Sequence, residues 1–273
     1  MTTSAGFCNP GQLPDRGSIP IMPWQLEHIA EALVSGLALA EREYAAEQAV
    51  HGLDALEEVA LHPLLARGLR EAGFAVFPET PYPGQPKVLP KERERLRCDL
   101  VVAEGGARAI ADSVQQGKEV RRAEGTLFAE IAPAMVTPPA GAVPPDEALW
   151  IEVKTIGQFT YTDGYAGPNR GYASQFNACM ADIRKLAKGE SIERAVLAVV
   201  LFNATPEIAE HDLLAFMHKC LDRQLPVSDL RTESLPIVDR IGNAVCTVGL
   251  VSVRLGDNRE PGAGYVVPTT RSF

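Results

Sequence analysis

The scarcities in this chain exclude several protein classes. Five cysteines occur, Cys8, Cys98, Cys179, Cys220 and Cys246, an odd number with no two at CxxC spacing. That argues against a disulfide framework or a structural zinc site. Buried free thiols in a reducing cytoplasm are the simpler expectation. No apolar run approaches the roughly 20 residues that a membrane helix needs. The segment MTTSAGFCNPGQLPDRGSIPIM lacks a basic stretch followed by an apolar one, so it does not read as a secretory signal. Positive charge is also short: 26 Lys and Arg stand against 35 Asp and Glu, a net charge of −9. A non-specific nucleic-acid coat protein would need the opposite balance. A nucleic-acid enzyme stays open, because local charge governs docking. No GxxxxGK[ST], GxGxxG or GxSxG occurs, which leaves nucleotide binding and a hydrolase elbow without support. The histidines His28, His51, His62, His211 and His218 show no metal spacing and are read as structural or surface residues.

The apolar share, 46%, is enough for a sizeable core. The division expected is an arm over 1–22, one α/β domain over 23–255 with an insertion at 104–148, and a tail over 256–273. Leu26, Ile29, Leu33, Leu37 and Ala40 recur at helical spacing within 23–50. A second helical stretch runs from Leu53 to about Glu71, with Pro63 kinking it or starting a new segment. FAVFPET at 74–80 and CDLVVA at 98–103 read as strands. The insertion reads as helical in its first half and irregular in its Pro-rich second half. LWIEVKTI at 149–156 is a strand, GQFTYTDGYAGPNRGY a loop, and ASQFNACMADIRKLAKG an amphipathic helix. AVLAVVLFN at 195–203 is so apolar that a central strand buried on both faces is expected. Thr205 and Pro206 open a further helix as N-cap and first-turn residues. Two strands joined near IGN close the domain.

The chemistry centres on Glu152-Val153-Lys154. Residues two apart on a strand share a face, so Glu152 and Lys154 project together while Val153 enters the core. Two charges in an apolar strand need partners. A plain salt bridge is the simplest answer. Asp99 offers another: if 98–103 and 149–156 pair antiparallel, the start of the first lies beside the end of the second. Two carboxylates would then converge, and a hard divalent cation would relieve their repulsion, with the Val153 carbonyl as a further ligand. Lys154 would orient or deprotonate the attacking water and neutralise charge in a phosphorane-like transition state.

These residues, in this order of helices and strands over roughly 50–203, resemble the PD-(D/E)XK nuclease superfamily. The resemblance implies a restriction-endonuclease-like mixed central β-sheet flanked by helices on both faces. It implies Asp99 and Glu152 as ligands of Mg²⁺ or Mn²⁺, and Lys154 as the catalytic lysine. Cys98 stands where the motif has proline, and the insertion before Glu152 is long. Many members add an acid from the first helix, for which Glu58 and Glu57 are candidates, with Glu79 at a strand end as a third. Gln175 matches the glutamine of a QxxxY motif found in exonuclease-like branches, but Cys179 stands in the tyrosine position. Tyr165, Asn169 and Arg170 on the Gly-rich loop, and Arg184 and Lys185 on the following helix, are candidate substrate contacts. A plain surface loop and solvent-facing charge are the simpler readings of these residues. The expected activity is metal-dependent hydrolysis of DNA phosphodiester bonds by a cytoplasmic protein without a membrane partner, and a homodimer stays open. The alternatives are a catalytically idle nuclease-like scaffold that binds or assembles, and an unrelated α/β enzyme with a carboxylate site.

Overall fold

The computed structural model describes residues 24–84, 95–123, 126, 138–162, 164–189 and 191–253. The expected arm at 1–22, the tail at 256–273 and much of the insertion's middle lie outside the described residues. The nine-residue apolar run organises the rest. It forms β8 (Arg194–Asn203), in which every residue from Ala195 onward is buried. Val196, Ala198, Val200 and Phe202 pack in one apolar layer and Ala195, Leu197, Val199 and Leu201 in the other. Strand alternation thus turns an uninterrupted apolar run into two cores.

Around β8 lies a six-stranded mixed sheet. Its order is β1 (Ala75–Pro81), β2 (Arg97–Ala103), β5 (Leu149–Gly157), β8, β10 (Val245–Val253) and β9 (Val227–Pro236). β5 and β8 run parallel, and the other neighbours are antiparallel. The connection from β5 to β8 passes through α4 (Tyr172–Ala187), as parallel strands require a crossover. On one face lie α1 (Leu26–Ala46) and α2 (Glu58–Glu71); on the other lie α4 and α5 (Pro206–Asp222). The Thr205 hydroxyl accepts the Ile208 N–H at 3.4 Å, and Pro206 opens α5, as their order in the sequence predicts.

α1 and α2 cross at two glycines. A Cβ added to Gly68 would sit 2.0 Å from the Ala32 carbonyl oxygen, and one added to Gly36 would sit 2.2 Å from that of Leu64. Only glycine lets two helix backbones approach this closely.

Three expectations need correction. The helical stretch expected from Leu53 is a single 3-10 turn at Leu53–Ala55 and then, after an extended Leu56 and Glu57, α2; Pro63 does not start a new segment but lies inside α2, five residues past its start. It removes one donor, whose acceptor would be the Val59 carbonyl, and Val59 is exposed, where water can serve instead. The loop around Tyr161–Tyr172 holds a hairpin, β6 (Phe159–Thr162) and β7 (Tyr165–Pro168), turned at Gly164. In the insertion, β3 (Ala109–Ile110) pairs in parallel with β4 (Ala142–Val143), so its Pro-rich half carries a short regular piece; α3 spans Ser113–Ala123. Among the described residues no helix is long and apolar enough to cross a membrane. Cys98, Cys179, Cys220 and Cys246 are free and buried, and Cys8 lies outside the described residues.

Candidate functional site

The site begins where β2 stops pairing with β5. Their ladder holds only Leu100↔Ile151, Val101↔Trp150 and Val102↔Leu149. Beyond it β5 has an open edge, whose amides need acceptors. Two carboxylates provide them. Asp99 Oδ2 accepts the Val153 N–H at 2.7 Å, and Glu58 Oε2, from the start of α2, accepts the Thr155 N–H at 3.1 Å. The antiparallel pairing expected from the sequence is present and brings Asp99 beside the Glu152–Lys154 segment. Val153 points into the core, as strand alternation requires.

Glu152 and Lys154 lie on the other face of β5, toward α4. Glu152 is 2% exposed. Its Oε1 accepts from the Tyr82 hydroxyl at 2.6 Å and pairs with Lys185 Nζ at 2.8 Å. Burial pushes the Glu152 carboxyl above its ordinary range; Lys185 and Tyr82 pull it partly back, and the Asp99 charge adds to the push. Lys154 Nζ meets Glu58 Oε1 at 2.8 Å and Asp182 Oδ2 at 3.6 Å. Burial alone would lower its pKa, but Glu58, Asp182 and Asp99 outweigh it, and the net shift is upward. Asp182 is raised, chiefly by burial, with Asp99 and Glu58 adding to the effect against the two lysines. The centre is thus a compact set of alternating charges on four elements: α2, β2, β5 and α4.

Tyr82 is held at one side of the site. Its ring stacks on Trp150 at 5.4 Å between centroids, and Lys185 Nζ lies 5.0 Å from the ring centre. The adjacent Cys98 thiol donates to the Ile151 carbonyl at 3.2 Å. Burial foremost, then the Glu152 charge, pushes that thiol well above its ordinary range.

No protein-family model, curated protein or solved structure matches this chain. The functional reading therefore rests on the geometry and on the sequence resemblance alone.

The remaining sequence candidates divide. Glu58 joins Lys154, whereas Glu57, at the N-cap of α2, is exposed and makes no capping bond. Lys185, read more simply from the sequence as solvent-facing charge, is half-buried on Glu152 and also donates to the Arg97 carbonyl at 2.9 Å. Arg184 turns the other way along α4, donating to the Met180 carbonyl. Asn169 donates to Gln175 Oε1 at 3.1 Å and to the Gly157 carbonyl at 2.8 Å, which ties the hairpin to the end of β5. Tyr165 and Arg170 are exposed.

Glu79, on β1, stands across from Asp99 on β2. It has a left-handed backbone, φ +49°, at a break between the pairs Pro78↔Leu100 and Thr80↔Cys98. One ligand atom each from His62, Glu79 and Asp99 lie within 4.8 Å of one another, a spacing no other trio of His, Cys, Asp or Glu reaches among the described residues. His62 is buried, and its Nε2 has no hydrogen-bond partner there.

Sequence reasoning missed His62, Asp182 and Tyr82. Asp182 had a signal, since it stands three residues before Lys185 and thus shares a helix face with it. His62 and Tyr82 had none, because their partners are remote in the chain.

Proposed function

We propose that this protein is a metal-dependent nuclease that hydrolyses DNA phosphodiester bonds on a restriction-endonuclease-like fold. The observation that carries the reading is the placement of Asp99, which reaches the Val153 amide between Glu152 and Lys154 at 2.7 Å. The order α2, β1, β2, β5, α4, β8, with β8 parallel to β5, supports the finer fold reading, since it is the order on which the resemblance rests.

The donor set suits a hard divalent cation. The Asp99 charge raises the Glu152 carboxyl, and a cation between the two would relieve that repulsion. Bound Mg²⁺ or Mn²⁺ would supply Lewis-acid polarisation of the phosphate. Asp99 and Glu152 would hold it, and the Val153 carbonyl would serve as a further ligand. Without a bound cation, Glu58 and Asp182 hold the Lys154 pKa up against its burial. The part of Lys154 is to orient the attacking water and offset charge on the phosphoryl oxygens. Lys185 offsets the charge of the buried Glu152 carboxylate.

An idle scaffold is the second reading, and one observation favours it: each charged group of the set already has a partner. Cleavage of linear and plasmid DNA with Mg²⁺ or Mn²⁺, with and without EDTA, separates the two. The nuclease reading expects metal-dependent cleavage and, in Lys154→Ala, a loss on the order of a hundredfold or more. Absence of cleavage across a DNA and RNA panel, with no cation binding by calorimetry, leaves the scaffold reading.

A further inference from the structure

We propose that His62, Glu79 and Asp99 form a cation site of their own, on the α2 side of β1 and β2, for a borderline divalent ion of the Zn²⁺ class. The proposal does not depend on nuclease activity. Two independent observations carry it. A ring nitrogen of His62 and one carboxylate oxygen each from Glu79 and Asp99 converge within 4.8 Å of one another. Separately, His62 is 7% exposed, and its Nε2 is buried with no partner among the described residues. A buried imidazole nitrogen without a hydrogen bond is costly. A metal ion is one of the few groups that satisfies such a nitrogen while also neutralising two adjacent carboxylates.

The donor set defines the class of ion. One imidazole with two carboxylates is the mixed nitrogen and oxygen set that zinc and its neighbours accept, whereas Mg²⁺ and Ca²⁺ favour oxygen alone. Three protein ligands also leave a tetrahedral ion one open position, the arrangement of catalytic rather than structural zinc. Ligand atoms around such an ion stand about 3.3 Å apart at bond lengths near 2.0–2.1 Å, so the trio must close slightly. Glu79 is the exposed member and can swing in; His62 and Asp99 are held by α2 and by the Val153 amide. Glu79, with its left-handed backbone, stands across from Asp99 between the pairs Pro78↔Leu100 and Thr80↔Cys98, so the register of β1 on β2 brings the two acids together.

Asp99 belongs to both this trio and the Glu152–Lys154 set, so the test separates them with residues unique to each. The full chain, stripped with chelator, is titrated calorimetrically with Zn²⁺, and then with Co²⁺ while visible absorption is recorded. The expected result is one equivalent bound, a Co²⁺ band of a low-coordinate nitrogen and oxygen site, and retention of Zn²⁺ against excess Mg²⁺. Glu79→Gln and His62→Gln should each weaken binding at least tenfold, while Glu152→Gln leaves it within a fewfold. Glu79 is exposed, so its variant folds even where the buried His62 variant does not; circular dichroism checks both. Absence of Zn²⁺ and Co²⁺ binding to the parent chain overturns the proposal. So does binding that survives Glu79→Gln and is lost in Glu152→Gln, a pattern that would leave the nuclease reading intact.

Discussion

Gly68→Ala should unseat the helical layer that carries Glu58 and His62. The added Cβ would lie 2.0 Å from the Ala32 carbonyl oxygen and 2.7 Å from the Gly36 nitrogen, where ordinary contact begins at 3.4 Å. The shortfall is about 1.4 Å, and both obstructing atoms are backbone, so no rotamer change relieves it. The helices must separate, and α1 is anchored by Ile29, Leu33 and Leu37, all fully buried. Overpacking of this kind costs about 1–3 kcal/mol and sometimes more. Alanine returns at most about 1 kcal/mol in helix propensity. A backbone clash belongs at the upper end of that range, so the net loss is about 2 kcal/mol. For a domain of this size that lowers the melting temperature by about 4–8 °C. Thermal melting by circular dichroism reads it. Val59→Ala, at an exposed position of the same helix, serves as control and should move stability by no more than about 0.5 kcal/mol. A Gly68→Ala protein that melts at or above the parent would refute the close crossing.

Two further perturbations test the electrostatics away from the site. Glu41 Oε1 accepts from Arg240 and from the Val238 amide, both at 2.9 Å, and the two side chains are 7% and 8% exposed. Glu41→Ala leaves a buried guanidinium without its counter-charge and should cost about 3–5 kcal/mol in urea unfolding; a loss under about 1 kcal/mol would show the pair to be solvated. Burial raises the Asp54 carboxyl, although Asn243 donates to it at 3.0 Å. A carboxyl raised in the folded state penalises folding at neutral pH, and the penalty disappears as pH falls through its folded pKa into the ordinary carboxylate range. Asp54→Asn should therefore melt above the parent at pH 7, with the gap closing on acidification; a gap that does not change with pH would contradict this.

Much of the fold was legible because it depends on local pattern. The run at 195–203 could satisfy its apolar side chains only with cover on both faces. Thr205-Pro206 specified a helix start with no tertiary help. Pro63 and the β6–β7 hairpin were not legible in the same way. Solvent at Val59 tolerates the lost hydrogen bond, and a glycine-rich hairpin carries little alternation to read. The site divides similarly. Strand alternation and the antiparallel neighbour brought Asp99, Glu152 and Lys154 into one region. The partners chosen there depend on where the β2–β5 ladder ends and on how α2 and α4 dock, which no local window contains. Glu152 was expected either to pair with Lys154 or to share a cation with Asp99, yet Lys185 and Tyr82 hold it. His62, dismissed for lack of motif spacing, meets partners 17 and 37 residues further along.

The way β5 ends also bears on what the chain avoids. A strand with unpaired amides on its flank is a template on which another polypeptide can add. Here the Val153 and Thr155 amides are occupied by the Asp99 and Glu58 side chains, which cannot propagate a ladder. An incoming strand would have to displace two carboxylates and bring its own carbonyls against their charge. The same two acids that define the candidate site thus act as a stop to cross-strand association. Replacing both with alanine would expose an apolar, hydrogen-bond-hungry flank, and a variant made to silence chemistry would then become prone to self-assembly.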